Sequence, residues 1–67
     1  MSEFRIRLFD EYQELLKRVK KLEAFILSDR FNPLPEIDRL DLTEQLRHMN
    51  GYAVVLSRRV SRQCNDT

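Results

Sequence analysis

LFDEYQELLKRVKKLEAFI, from Leu8 to Ile26, and LTEQLRHMNGYAVVLSRRV, from Leu42 to Val60, decide the fold between them. In the first stretch Leu8, Tyr12, Leu15, Val19, Leu22 and Ile26 recur at steps of 4, 3, 4, 3 and 4, and in the second Leu42, Leu46, Met49, Ala53, Leu56 and Val60 repeat the same steps. That spacing holds one apolar residue per turn on a single stripe, the seam period of paired helices. Both seams run eighteen residue steps. At about 1.5 Å of rise per residue they match in length, which is what an antiparallel hairpin needs to pair them end to end. The fold class is therefore all-α: an antiparallel two-helix hairpin.

Outward from the seams, residues from about 3 to about 27 form the first helix, with Ser2 as its N-cap and Glu3 where the helix dipole favours an acid. Glu14 and Arg18 stand in the favourable order for an i to i+4 pair. Pro33 pushes Asn32 out of helical geometry, so a connection spans about 28 to 41. Within it Pro35 suits a first helical position, and residues 36 to 40 suit a short helical turn. Asp41 with Glu44 three residues later has the form of a capping box, which starts the second helix near Leu42 and carries it to about 62. Asn50-Gly51 more often marks a turn than a helix interior. The seam keeps its phase through Gly51, which favours a continuous helix over a break at Met49 and a lone strand from Tyr52 to Leu56. Residues from about 63 to 67 are expected to fray.

Sixty-seven residues are one domain, and two helices of this size bury too little apolar surface to be comfortably stable alone. Phe9, Leu16, Phe25, Leu40, Val54 and Val55 lie off the seams and need cover. Wide seams are the plain account; a homo-oligomer, a dimer of hairpins or a multiple of it, is the favoured one. An intramolecular hairpin and a pair of chains exchanging helices both remain open. With 42% hydrophobic and 34% charged residues, one Gly and two Pro, the chain is neither disordered nor loop-rich. No apolar run is long enough to span a bilayer. The single Cys64 excludes an intrachain disulfide, and with no signal-peptide pattern the expected location is the cytoplasm. A net charge of +1 makes a duplex DNA binder unlike this chain.

Chemistry is sparse. His48 is the only histidine and has no cluster of Cys, His or carboxylate at ligand spacing, so neither metal nor cofactor is expected. Ser28, Ser57 and Ser61 lack the elbow that exposes a nucleophile, so no catalytic residue is assigned and the chain is expected not to be an enzyme. Paired antiparallel, the helices bring Lys17, Arg18, Lys20 and Lys21 level with Arg47, His48 and Tyr52. Composition favours a solvated face with local pairs to Glu14, Glu23 and Glu44. The alternative is an anion site in which guanidinium grips phosphate and Tyr52 stacks on a base. Arg58, Arg59 and Arg62 lie level with Arg7, Asp10 and Glu11, which are placed to neutralise them.

Arg7, Glu11, Leu15, Lys21-Leu22, Phe25-Ile26, Ser28, Phe31, Leu34-Pro35, Gln45, Met49, Tyr52, Leu56 and Arg59, in this order and spacing, resemble small helical accessory proteins of tailed bacteriophages, a family labelled after an open reading frame of a crAss-like phage. The resemblance covers about residues 4 to 60, and Leu40-Asp41-Leu42 departs from the family's acidic, Gln-rich run. By analogy of type with other small helical phage oligomers, it implies an anti-defence protein of the host cytoplasm. Such a protein sequesters a nucleotide signal, a cyclic dinucleotide or an ADP-ribose derivative, between subunits. Lys21, Ser28, Gln45, Tyr52 and Arg59 are the polar members of the pattern that core packing does not require, and they are the expected ligand site. The alternative function is a protein-interaction module that binds and inhibits a host protein.

Overall fold

The computed structural model describes residues 3–65, with side chains as far as Gln63. Ser2, Cys64's side chain and the last two residues lie outside that description, and with them the proposed Ser2 cap. Two helices make up the described chain: α1, Glu3–Ile26, and α2, Glu36–Asn65. They pack side by side into a rod of 50 × 15 × 14 Å.

Every seam residue is buried or half-buried, and Leu8, Leu15, Val19 and Leu56 form the fully buried core. Tyr12, Leu46, Met49, Ala53 and Val60 pack against it. Leu56 is 0% exposed, the deepest side chain in the rod. A stripe only one residue wide cannot cover the rest. Phe9, Leu40, Val54 and Val55 stay exposed, while Leu16 and Phe25 are half-buried.

The connection is shorter and the second helix longer than the sequence reading has them. Leu42 is not the start of α2, because residues 36 to 41 are already helical. The Pro35 carbonyl accepts from the amides of Asp38 and Arg39 at 3.0 and 3.1 Å, and Glu36 and Asp38 place acids in the first turn, where the dipole favours them. The capping box does not form. Asp41 and Glu44 lie inside the helix, and the Glu44 carboxylate is occupied by Arg47. The short helical turn at 36 to 40 is therefore the first turn of α2 and not a separate element.

Residues 27 to 35 are folded in their own right. The Phe25 carbonyl at the end of α1 accepts from both the amide and the hydroxyl of Ser28, at 3.0 and 2.6 Å, and that hydroxyl accepts from the Arg30 amide at 3.3 Å. The Phe31 ring meets Phe25 edge-on with centroids 6.3 Å apart, and the Arg30 guanidinium lies 5.5 Å from the centre of the Phe25 ring.

Helix α2 passes through Asn50-Gly51 without interruption, and a Cβ built on Gly51 meets nothing within 4 Å. Gly51→Ala should therefore stabilise the chain by about 0.5–1 kcal/mol, since it adds helix propensity and costs no space. A thermal melt should rise by several degrees; an unchanged or lower midpoint means that the glycine's smallness is used by something outside the chain.

Candidate functional site

The buried stripe of α2 has two flanks, and the helical repeat of about 3.6 residues sorts the polar groups between them. Gln45, Tyr52 and Arg59, seven residues apart, fall along one flank; Asn50, Val54 and Ser57 fall along the other. Because the helices are antiparallel, matching flanks of α1 share each side. Glu11 and Arg18 lie on the side of Tyr52 and Arg59, while Phe9, Tyr12 and Leu16 lie on the side of Val54 and Ser57.

The second side carries a groove, lined by Tyr12, Asn50, Ala53, Val54, Ser57 and Arg58. Of these, Tyr12 and Ala53 are half-buried, and Asn50, Val54, Ser57 and Arg58 are exposed. None of Asn50, Ser57 and Arg58 figures in the expected site, and Tyr12 passes in the sequence for simple core. The available signal was a run without charge, Met49 to Ser57, in a chain that is otherwise densely charged.

The five expected site residues are not gathered at one point. Gln45 and Arg59 lie about 21 Å apart along α2 at 1.5 Å per residue, so no compact ligand touches both in one chain. Ser28 spends both of its hydrogen bonds on the connection. Gln45 donates its side-chain amide to the Met49 sulfur at 3.9 Å. Lys21 is exposed, Tyr52 is 44% exposed, and Arg59 is half-buried. Tyr52 stands two turns, about 10 Å, from Gln45 on one side and from Arg59 on the other, so each of these two pairs lies within small-molecule reach on one flank.

The cationic band is partly neutralised in place. Lys17 reaches Glu14 at 3.4 Å, so Glu14 pairs with Lys17 and not with the Arg18 expected from its spacing. Arg47 grips Glu44 with two nitrogens at 3.1 and 2.9 Å, and His48 stands 3.6 Å from the same carboxylate. Hydrogen bonds from Arg47, then its charge, hold the Glu44 carboxyl below the ordinary carboxylate range, and the contact raises Arg47 in return. All of these groups are well exposed, so the pairs contribute little to stability. The expected neutralisation of Arg58, Arg59 and Arg62 across the helices is absent. Arg7 turns along its own helix to Glu3, and none of the three arginines has a carboxylate in ion-pair range among the described residues. Arg18, Lys20 and Lys21 are in the same position. On the flank of Tyr52, then, Arg18 and Arg59 stand without an ion pair among the described residues, with Glu11 on the same side.

Among the described residues no group of three His, Cys, Asp or Glu side chains is brought together, and no helix is long and apolar enough to cross a membrane. The profile of the family described as Sequestin matches residues 2–62. No match was found among curated proteins or among solved structures.

Proposed function

The chain belongs to the Sequestin family, and from that premise we propose that it is a non-enzymatic sequestering protein whose cargo is a small anionic nucleotide, a cyclic dinucleotide or an ADP-ribose-like signal, bound between copies of the hairpin. The family's name supports capture without turnover. The resemblance to phage accessory proteins supports a setting in the cytoplasm of an infected bacterium, where withdrawing the signal blunts a defence response. The observation that carries the reading is the pair formed by Tyr52 and Arg59: an exposed ring and a guanidinium with no carboxylate in ion-pair range among the described residues, on one flank, at a spacing that suits a base on one and a phosphate on the other. The length of the polar stripe argues for a shared site, because Gln45 and Arg59, about 21 Å apart in one chain, can touch the same compact ligand only from different copies.

Ligand that binds only the folded state adds about RT ln(1 + [L]/Kd) to its stability, or about 2.7 kcal/mol at a hundredfold excess over Kd. A thermal melt of the purified chain with a panel of cyclic dinucleotides and ADP-ribose derivatives should show a midpoint several degrees higher for one class. Arg59→Ala or Tyr52→Ala should remove that shift while the ligand-free melt stays within a degree or two of the parent. A panel without any shift rejects the cargo, and variants that bind as well as the parent reject the site.

A second reading has its own observation. Leu27, Ile37 and Leu40, 84%, 64% and 56% exposed, crowd the closed end of the hairpin with no cover in the chain. They suit a partner that inserts a helix or offers a groove. On that reading the target is a host protein, and the immobilised chain retains one such protein whether or not nucleotides are present.

A further inference from the structure

We infer that the groove lined by Tyr12, Asn50, Val54, Ser57 and Arg58 is a second binding site, for a small aromatic monocarboxylate, on the side of the rod away from Tyr52 and Arg59. This goes beyond the proposed cargo, since the groove takes a ligand of its own and borrows nothing from the nucleotide reading.

The groove has a volume of about 500 Å³, inside the roughly 300–1,000 Å³ range of small-molecule sites. Its polar groups are unspent, which sets it apart from an ordinary dip between two helices. Among the described residues, the side chains of Tyr12, Asn50, Ser57 and Arg58 make no hydrogen bond or ion pair. A helical hydroxyl can fold back on the carbonyl four residues earlier, as Thr43 does to Arg39 at 2.8 Å. Ser57 makes no such bond, and its hydroxyl stays available. Two hydroxyls, a carboxamide and a guanidinium thus border an apolar wall of Ala53 and Val54, the latter 52% exposed.

Charge selects the ligand. Arg58 is the one ionised group lining the groove, and no carboxylate lies in ion-pair range of it among the described residues. The acids on this side, Glu23 and Glu36, stand toward the closed end of the hairpin. A single unpaired guanidinium matches a single carboxylate, which it grips through two parallel hydrogen bonds. The two phosphates of a cyclic dinucleotide or an ADP-ribose derivative bring more charge than it can balance. Length selects it further. Asn50 and Arg58 are eight residues apart, about 12 Å of helix, so a ligand touching both carries its carboxylate at one end and a hydrogen-bonding group at the other. An aromatic ring between them lies against Val54 and the Tyr12 ring, and Ser57 adds a donor for the carboxylate.

The probe is para-hydroxyphenylacetate, whose carboxylate suits Arg58 and whose phenol suits the Asn50 carboxamide. Titrated into the full chain and followed by two-dimensional amide NMR, it should move Asn50, Val54, Ser57 and Arg58 together and saturate with a Kd of about 1 mM, as its size allows. The uncharged para-hydroxyphenylacetamide should bind about tenfold more weakly, the worth of one charge-assisted contact. Arg58→Gln, at an exposed position, should keep the fold and bring acid and amide within about twofold of each other. Should that variant lose its helical circular dichroism, the parent's preference for the acid decides alone. No saturation by about 20 mM, equal binding of acid and amide by the parent, a folded Arg58→Gln that keeps the preference, or shifts centred on Tyr52 and Arg59 or on Leu27 and Leu40 overturns the assignment. No nucleotide enters the titration, so its failure leaves the thermal-shift test of the proposed cargo to be decided on its own.

Discussion

Leu56→Ala is expected to cost about 2–5 kcal/mol and to leave the isolated chain largely unfolded at room temperature. The cost is high because Leu56 is 0% exposed and sits among Leu8, Leu15 and Val19, so removing its side chain opens a cavity against three neighbours already in place. The effect is decisive because a core in a chain this small rarely supplies more than about 3–5 kcal/mol in total. Circular dichroism with urea should show loss of the cooperative transition, or a midpoint so low that no folded baseline remains. A variant that unfolds within about 1 kcal/mol of the parent means that the rod collapses around the gap and that the core is less fixed than its burial implies. Ala53, half-buried and small, should tolerate exchange for Ser far better.

Gly51→Pro is the second large effect, and it acts on the backbone. Proline removes the amide that bonds four residues back and drives its ring against that carbonyl, at a cost of about 3 kcal/mol or more. Set beside the gain expected for Gly51→Ala, it separates two meanings of the glycine. If α2 is continuous, alanine stabilises and proline splits the seam between Met49 and Ala53, with helical ellipticity falling as the outer half of α2 comes away. If proline is accepted within about 0.5 kcal/mol, the helix is already broken at Asn50 in solution.

That glycine also shows what the sequence could convey. Phase is a global property of the seam, and Met49 and Ala53 kept it, so the helical reading survived a local turn signal. The start of α2 lacked such a check. Ile37 and Leu40 are exposed and belong to no stripe, so periodicity had nothing to say about residues 36 to 41, and the Asp41 and Glu44 pattern filled the gap with a cap that the structure spends on Arg47. Ion pairs were less legible still. Glu14 had Lys17 and Arg18 both within reach, and rotamers, not spacing, chose Lys17. The site was legible as a list of polar residues outside the core. Its geometry was not, because a heptad stripe of Gln45, Tyr52 and Arg59 is a line, and convergence on a ligand depends on how copies are arranged around it. The groove escaped notice because Tyr12 satisfies the seam and borders the groove at once.

The deepest burial in the rod lies far from its closed end. Leu8 and Leu56, 4% and 0% exposed, belong to one cluster although forty-eight positions separate them in the chain. Near the connection, contacts form between residues close in sequence and cost little loop entropy, but there the seam is only half-buried at Leu22, Ile26 and Leu42. The strongest packing therefore rewards only a chain that has already brought its distant ends together. A partly zipped hairpin gains little over an open one, so the molecule should fold and unfold as a single unit, with few half-formed states in which one helix is free to find a wrong mate.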